Sequence, residues 1–367
     1  MPDRTLNPLL EHPAPDFDTF ARVLSGEQAP KRVHLVEPFY DIEVLQAIAQ
    51  RYSDEPWIPL TPDTKEAFIR QLVNLFYRLG YDCAPVFMMW RDHPAPRKRR
   101  AADTAALSHG ERVWVEESRG LINSWEEFEA FPWDTVKAST ETIFIVAKCL
   151  PEGMKIAAIN SIYEHVMEEL LGYEGLFYLL YDEPELVAQV FDRWGQIIYD
   201  GYAEVIGMDE VGAIFHGDDL GFKTSTLLAP DDLRRLVFPW FKKIADLAHA
   251  HGKPCWLHSC GNLYAQGVIE DLIEYVGIDG LHSFQDVILP VGAFYARYGS
   301  RVAALGGVDV DALARMDEPS LRAYVRRILD QCMPGRFALG SGNSLTNYIN
   351  VDNYIAMLDE GRRWQAG

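Results

Sequence analysis

The sequence contains no long apolar run and is poor in basic residues. None of its apolar stretches reaches the ~18 residues that a membrane-spanning helix needs, so no membrane span is expected. The 34 lysines and arginines are outnumbered by 54 aspartates and glutamates. The resulting net charge of −20 argues against non-specific binding to nucleic acid or to a membrane surface. The first 20 residues carry acids and four prolines in place of the basic and apolar regions of a signal peptide, so none is expected.

Cysteines are also few and scattered. The five of them, at positions 83, 149, 255, 260 and 332, form no C-x-x-C pair and are odd in number, so we expect a reduced, cytoplasmic protein. The chain has no low-complexity linker. Its 48% of hydrophobic residues can bury a large core, and we predict that residues 1–367 form a single domain.

Short apolar segments rich in β-forming residues recur eight times along the chain. They are VHLVE (33–37), APVFMMW (84–90), KIAAIN (155–160), GAIFHGDD (212–219), PCWLHSC (254–260), DGLHSF (279–284), RVAALGGVD (301–309) and FALGSG (337–342). Amphipathic helical patterns lie between them, most clearly at 231–251, 264–276 and 320–332. This alternation predicts an α/β fold of the (β/α)8 TIM-barrel type, with an N-terminal extension and an insertion at 91–150 after the second strand. An open doubly wound sheet is the alternative, but no G-x-G-x-x-G follows the first strand.

Polar residues gather where these predicted strands end. Catalytic groups of such barrels come from the C-terminal strand ends, so these residues are the candidate site. They comprise Glu37, Trp90, Asn160, His216, Asp218, Asp219, His258, Cys260, His282, Gln285, Asp309, Ser341 and Asn343.

The stretch LHSCGN (257–262) carries the sharpest chemical signal. Residues i and i+2 of a strand point to the same face, so His258 and Cys260 can reach one point above the barrel. Imidazole nitrogen and thiolate sulfur are good zinc ligands, but a catalytic zinc needs a third protein ligand, and none is adjacent. A buried cysteine beside a hydrogen-bonded histidine is the structural alternative.

Other candidates surround this pair. In HGDDLG (216–221) a carboxylate could accept a proton, bind substrate or ligate a metal, although a turn cap and an ion pair would explain Asp218 and Asp219 equally well. His282 is a candidate substrate contact or a hydrogen-bonded wall. Tyr163, with Glu164 beside it, could reach the barrel mouth from a loop and helix at 160–175. The run RDHPAPRKRR (91–100) is a lid, a docking surface or a solvated loop.

Several of these motifs, taken in order, resemble the uroporphyrinogen decarboxylase superfamily, in the branch of corrinoid-linked methyltransferases. The motifs are LLGYEG, GDDLG, the long segment APDDLRRLVFPWFKKIADLAHAHGKPCWLHSCGN, GGVDV, and GSGNSLTNYINVDNYIAMLDEGRR. The resemblance runs from about residue 17 to 363 and implies a (β/α)8 barrel. The decarboxylase itself carries an arginine-rich stretch close to R-Q-A-G-R-Y, where this chain reads EPFYDIEVL after its first strand.

The resemblance also implies a zinc site with one departure from the family pattern. The methyltransferases hold zinc with an H-x-C…C set; His258 and Cys260 match its first two members, whereas Ser341 stands where the last cysteine is expected. A serine hydroxyl is a poor zinc ligand beside a thiolate. Either Asp218 or Glu37 completes the site, or there is no zinc. Related O- and N-demethylating methyltransferases are similar in the GDDLG and GSGNS patterns.

The resemblance implies a methyltransferase that demethylates a small O-methyl or N-methyl compound. Its acceptor would be cobalamin carried by a separate corrinoid protein. Zinc on His258 and Cys260 would act as a Lewis acid; without zinc, Asp218 or His282 would be the general acid. Two other functions remain open, a decarboxylase for a smaller substrate that uses Asp218, and a non-catalytic ligand-binding protein. Superfamily members are often dimers, so a homodimer is a further expectation.

Overall fold

The structure is a computed structural model that describes residues 7–108, 110–116 and 118–365. Its strands are β1 (His34–Leu35), β2 (Cys83–Phe87), β3 (Met89–Arg91), β4 (Lys98–Ala102), β5 (Glu111–Val115), β6 (Lys137–Ser139), β7 (Lys155–Ile159), β8 (Val211–Gly217), β9 (Gly221–Phe222), β10 (Ser225–Thr226), β11 (Cys255–His258), β12 (Gly280–His282), β13 (Ala303–Leu305) and β14 (Phe337–Leu339).

Helices separate most of these strands. The α-helices are α1 (Phe17–Ser25), α2 (Ile42–Tyr52), α3 (Lys65–Arg78), α4 (Trp125–Ala130), α5 (Glu141–Ala147), α6 (Tyr163–His165), α7 (Tyr173–Asp182), α8 (Pro184–Val205), α9 (Pro230–Asp232), α10 (Phe238–Ala250), α11 (Val268–Asp271), α12 (Val291–Tyr298), α13 (Val310–Arg315), α14 (Glu318–Cys332) and α15 (Val351–Arg363). Three π-helical segments extend α6, α9 and α11, at Val166–Leu170, Leu233–Val237 and Leu272–Val276, and a 3-10 turn spans Ala265–Gly267. In the part of the chain that the structure describes, no helix is long and apolar enough to cross a bilayer.

Eight strands form one parallel sheet in the order β1-β14-β13-β12-β11-β8-β7-β2. Each of the eight segments predicted from the sequence overlaps one strand of this sheet, and helices lie between successive strands. The predicted (β/α)8 architecture is therefore confirmed. All strands run the same way, so the polar residues that follow them gather at one end of the sheet.

The inside of the sheet is filled by side chains, and α1 closes its N-terminal end. Phe20 of α1 lies 5.5 Å, and Phe17 6.1 Å, from the ring of Trp256 in β11. All three side chains are buried. Trp256 also contacts Phe215 of β8, at 5.6 Å between ring centroids. The two aromatic residues of the strands, Phe215 and Trp256, thus belong to the barrel core.

The insertion after the second strand contains two small antiparallel sheets. Strand β3 pairs with β6, and β4 pairs with β5 in a hairpin. The basic run supplies β4, whose side chains are exposed. Two of its arginines face acids of the hairpin, since Arg99 lies 2.7 Å from Glu116 and Arg100 lies 3.4 Å from Glu111. The basic patch is therefore partly neutralised within its own hairpin.

Candidate functional site

The register of two neighbouring strands brings His258 and His282 together. Each is the last residue of its strand, and β11 and β12 pair so that the two histidines lie side by side. The chain then turns at Gly261, whose φ of +102° suits glycine. A Cβ on Gly261 would stand 2.3 Å from the backbone of Gly221, so the turn is possible only without a side chain. This turn leaves Cys260 beside His258.

Three donor atoms meet at this point. His258 Nε2 lies 3.6 Å from Cys260 Sγ and 3.2 Å from Asp219 Oδ1. Two ligands of a tetrahedral zinc ion are separated by about 3.5 Å for nitrogen and sulfur, and about 3.3 Å for nitrogen and oxygen, given the usual bond lengths. These two spacings match the expected values, and all three donor atoms lie within 4.8 Å of one another, so Asp219, His258 and Cys260 could hold a zinc ion. Asp219, which the sequence predicted as a substrate contact, is the third donor of this group.

A hydrogen-bond relay orients His258 for this role. His282 Nε2 lies 3.0 Å from the carbonyl oxygen of Ser341, which can only accept, so this nitrogen carries the proton. His282 Nδ1 is therefore the acceptor in its 2.6 Å contact with His258 Nδ1. His258 Nδ1 therefore carries a proton, so in the neutral ring the lone pair lies on Nε2, towards Cys260 and Asp219. Burial, and then the neighbouring His258, lowers the pKa of His282 well below its ordinary value, which agrees with a neutral ring.

His258 Nε2 faces the Asp219 carboxylate at 3.2 Å, so either a proton or a metal cation has to lie between the two atoms. Burial and then the Asp219 charge raise the pKa of Cys260 well above its usual value, so its thiol is protonated without a cation. Burial opposes ionisation of Asp219, but its contacts with His258 and with the Cys260 backbone lower its pKa overall. A divalent cation would balance Asp219 and stabilise the Cys260 thiolate.

Asp218 is turned away from this group of donors. Its carboxylate is buried and accepts hydrogen bonds from Ile162 N at 2.9 Å, Glu164 N at 2.8 Å and His216 Nε2 at 2.7 Å. These contacts hold the start of α6 against the strand ends. They favour a positioning role for Asp218 over the general-acid role that the sequence suggested. His282 was the other candidate general acid, and its two hydrogen bonds likewise favour a role in positioning His258. Glu164 is half-buried beside this pair of aspartates, and burial, followed by the charges of Asp219 and Asp218, raises its pKa well above the usual range.

Ser341 and Glu37 form a separate buried network. Ser341 Oγ contacts both Glu37 Oε1 and the carbonyl oxygen of Asn343, and Ser341 N donates to Glu37 Oε2 at 3.1 Å. The hydroxyl has one proton and the Asn343 carbonyl can only accept, so the contact with Glu37 requires a proton on that carboxyl. Burial raises the pKa of Glu37 to about 8, in agreement. Neither Ser341 nor Glu37 therefore takes the place of the third ligand.

This network makes stability depend on pH. The pKa of Glu37 is about 8 in the folded protein, above its ordinary value of 4.5, so its stabilising contribution is complete below about pH 4.5 and is lost as pH rises to 8. Glu37→Gln keeps a neutral donor and acceptor in place. Denaturant unfolding at pH 5, 6.5 and 8 should show wild type losing a few kcal/mol relative to the variant across this range. Parallel curves for the two proteins would mean that Glu37 is not protonated in the fold.

The remaining predicted contacts are distributed around the site. His216 is held between Asp218 and the hydroxyl of Tyr202, and Gln285 is half-buried in the turn after β12. Asn343 caps its own loop through Ser344 N.

Trp90 and Tyr163 pack against helices. Trp90 lies 4.7 Å from the ring of Trp194, and the buried Tyr163 stacks on Phe191 at 6.5 Å. Both contacts favour a packing role over the substrate binding that the sequence predicted.

Two neighbours of the donor group were not found by sequence reasoning. The ring of Phe39 lies 4.4 Å from that of His258, an approach that needs Gly217, since a Cβ there would be 2.5 Å from Phe39. Ser283 Oγ donates to Cys260 Sγ at 3.4 Å. Phe39 lies just beyond the end of β1, two residues after Glu37, and this position could have predicted that it is close to the site.

The fold and these strand-end side chains define a TIM-barrel protein with a candidate metal centre at the C-terminal end of its sheet. The chain belongs to the uroporphyrinogen decarboxylase (URO-D) family, whose model matches residues 127–364. Among solved structures, a methyltransferase from Methanosarcina mazei superposes with a TM-score of 0.67 over 95% of this chain and 98% of its own, at 15% identity. A B12-independent methionine synthase from Shewanella sp. W3-18-1 covers 62% of this chain and 66% of its own, at 12% identity and a TM-score of 0.41.

These structural similarities concern the fold. No match to this chain is found among curated protein sequences.

Proposed function

We propose that this protein is a methyltransferase that demethylates a small O-methyl or N-methyl compound and passes the methyl group to a separate corrinoid protein. The observation that carries the proposal is the meeting of Asp219, His258 and Cys260 at the end of the barrel. Membership of the URO-D family and the fold shared with a methyltransferase support it. The corrinoid acceptor rests on the motifs that resemble the corrinoid-linked branch.

The chemistry requires stabilisation of a poor leaving group. An alkoxide or a free amine leaves slowly unless positive charge or a proton reaches it as the methyl group departs. Zinc held by Asp219, His258 and Cys260 would supply a Lewis acid at the site. His282 holds His258 so that Nε2 faces the place between Cys260 and Asp219 where the metal would bind. Asp219 also holds the turn, because it accepts a 2.7 Å hydrogen bond from the backbone N–H of Cys260. The role of the surrounding residues is thus to orient these donors.

The two alternatives receive less support. A decarboxylase that uses Asp218 needs that carboxylate to reach a substrate, and both of its oxygens already accept hydrogen bonds within the protein. A non-catalytic binding protein is not favoured by any particular contact among the residues that the structure describes.

Methyl transfer can be assayed directly. The purified protein, loaded with Zn²⁺, would be incubated with cob(I)alamin and a panel of methoxy and N-methyl compounds. We expect the cob(I)alamin absorbance to give way to that of methylcobalamin with at least one donor. Retention of cob(I)alamin with every donor, both for free cobalamin and for added corrinoid proteins, would contradict the proposal.

A further inference from the structure

A second group of donor side chains lies outside the site described above. His93 follows β3 at the start of the insertion, whereas His165 and Glu169 lie on α6 and the π-helical segment that extends it. His165 Nε2 is 3.2 Å from His93 Nε2 and 3.5 Å from Glu169 Oε2. Glu169 Oε2 is 3.7 Å from His93 Nδ1. One donor atom from each residue lies within 4.8 Å of the other two.

The spacing within the helical segment explains how two donors point the same way. Glu169 is four residues after His165, and residues at this spacing are neighbours on one face of a helix. The π-helical turn begins at Val166, between the two. Such turns are rare and occur often at functional sites.

Aromatic rings hold the histidines in place. Trp194 stacks on His165 with 4.4 Å between centroids and an angle of 15°, and Trp90 lies 4.5 Å from the same ring. Phe131 packs edge-on against His93 at 5.9 Å. The side chains of both histidines are 6% exposed and that of Glu169 is 19% exposed. The three donor side chains are therefore largely fixed in position before a metal binds, as a preorganised metal site requires.

The contacts among the three side chains leave the Glu169 carboxylate without a strong partner in the group. Glu169 Oε2 lies 3.5 and 3.7 Å from the two rings, and both distances are longer than charge-assisted hydrogen bonds. A cation among the three would bind the carboxylate oxygen and the ring nitrogens together.

We propose that His93, His165 and Glu169 form a second metal site, which binds a divalent transition metal such as Zn²⁺ and fastens the insertion to the helical segment beside the barrel mouth. Two imidazole nitrogens and one carboxylate oxygen suit such ions. The 3.2 and 3.5 Å separations bracket the ~3.3 Å expected between two nitrogen or oxygen ligands of a tetrahedral ion. The site does not depend on the proposed methyl transfer.

Cobalt(II) titration can distinguish this site from the one at Cys260. The metal-free full-length protein would be titrated with Co²⁺ under anaerobic conditions and followed by absorption from 300 to 700 nm, the usual range for such spectra. Only the Cys260 site contains a thiolate, so only it gives a sulfur-to-cobalt charge-transfer band. We expect two equivalents to bind, one with this band and one with ligand-field bands alone.

Single-residue variants show which of the two sites binds each cobalt equivalent. Cys260→Ala should lose the charge-transfer band and keep the other equivalent, whereas His93→Ala should do the reverse. His251→Ala, which alters an exposed histidine, should keep both. Glu169→Gln preserves shape and serves if His93→Ala fails to fold; it should lower the affinity of the thiolate-free equivalent at least tenfold. A wild-type protein that binds only the equivalent with the charge-transfer band, or a thiolate-free equivalent that keeps its affinity in both His93→Ala and Glu169→Gln, would overturn the proposal.

Discussion

Replacing Cys260 with alanine is expected to remove bound zinc from the barrel mouth and to lower methyl transfer by roughly 10³-fold, the scale seen when a charge-stabilising group is lost. Cys260 supplies the sulfur donor, 3.6 Å from His258 Nε2. Without it, Asp219 and His258 are left with two donors, too few for a stable zinc site. Elemental analysis should show one zinc per chain fewer than in wild type, because the proposed second site keeps its own ion. The cobalamin assay on the same preparation would measure the loss of activity.

Cys255→Ala is the matched control for this variant. Cys255 lies five residues earlier, at the start of β11, and its buried thiol belongs to the hydrophobic core. We expect this variant to retain both zinc and activity. Asp219→Asn should weaken zinc binding as well, since an amide oxygen carries no charge. Full zinc occupancy and unchanged turnover in Cys260→Ala would exclude the assigned centre.

Trp256→Ala is expected to lower the free energy of unfolding by about 3–5 kcal/mol, the range for truncating a large buried aromatic residue. Trp256 is fully buried, and its ring contacts Phe20 of α1 and Phe215 of β8. Its loss leaves a cavity under α1 that the rigid strands cannot close. Urea unfolding monitored by circular dichroism would measure the change.

Two comparisons make this result specific. Trp114, in the hairpin strand β5, is 41% exposed, so Trp114→Ala should change stability by about 0.5 kcal/mol or less. Trp256 Nε1 has no hydrogen-bond partner, so Trp256→Phe should cost much less than Trp256→Ala. Equal losses for Trp256→Ala and Trp114→Ala would show that α1 is not anchored through Trp256.

The barrel strands could be predicted because each is a short apolar run bounded by turn residues. Leu257 illustrates the signal, since it lies among apolar neighbours and is followed by the polar turn that begins at Ser259. The same reasoning identified His258 and Cys260 as a pair, but β11 ends at His258 and the turn at Gly261, not strand alternation, places Cys260 beside it. The hairpin β4–β5 was not predicted, since its strands are exposed and lack an apolar face.

The third donor could not be chosen from the sequence. Asp218 and Asp219 are adjacent, and beyond a strand end the backbone no longer alternates in a fixed way. Which of the two aspartates faces His258 depends on Ile162 and Glu164, whose backbone N–H groups donate hydrogen bonds to the Asp218 carboxylate. These residues lie more than 50 positions away, so only the packed structure brings them together.

The second donor group was hidden for a similar reason. His93 lies in the basic run and His165 in a separate segment, 72 residues apart. The spacing of His165 and Glu169 was a local signal, but a pair of side chains on a helix is common without a metal. Only the pairing of β3 with β6 and the packing of Trp90 bring His93 to them.

The closure of the barrel by α1 has a kinetic consequence. Because Phe17 and Phe20 pack beneath Trp256, the N-terminal end of the barrel is closed. In the proposed methyl transfer, the small donor and the large acceptor would therefore share the opposite end. A docked corrinoid protein would cover that entrance while it receives the methyl group. The donor must then enter first, and the demethylated product must wait until the acceptor leaves. Initial-rate patterns should therefore show a compulsory sequential order, with the acceptor as a dead-end inhibitor at high concentration.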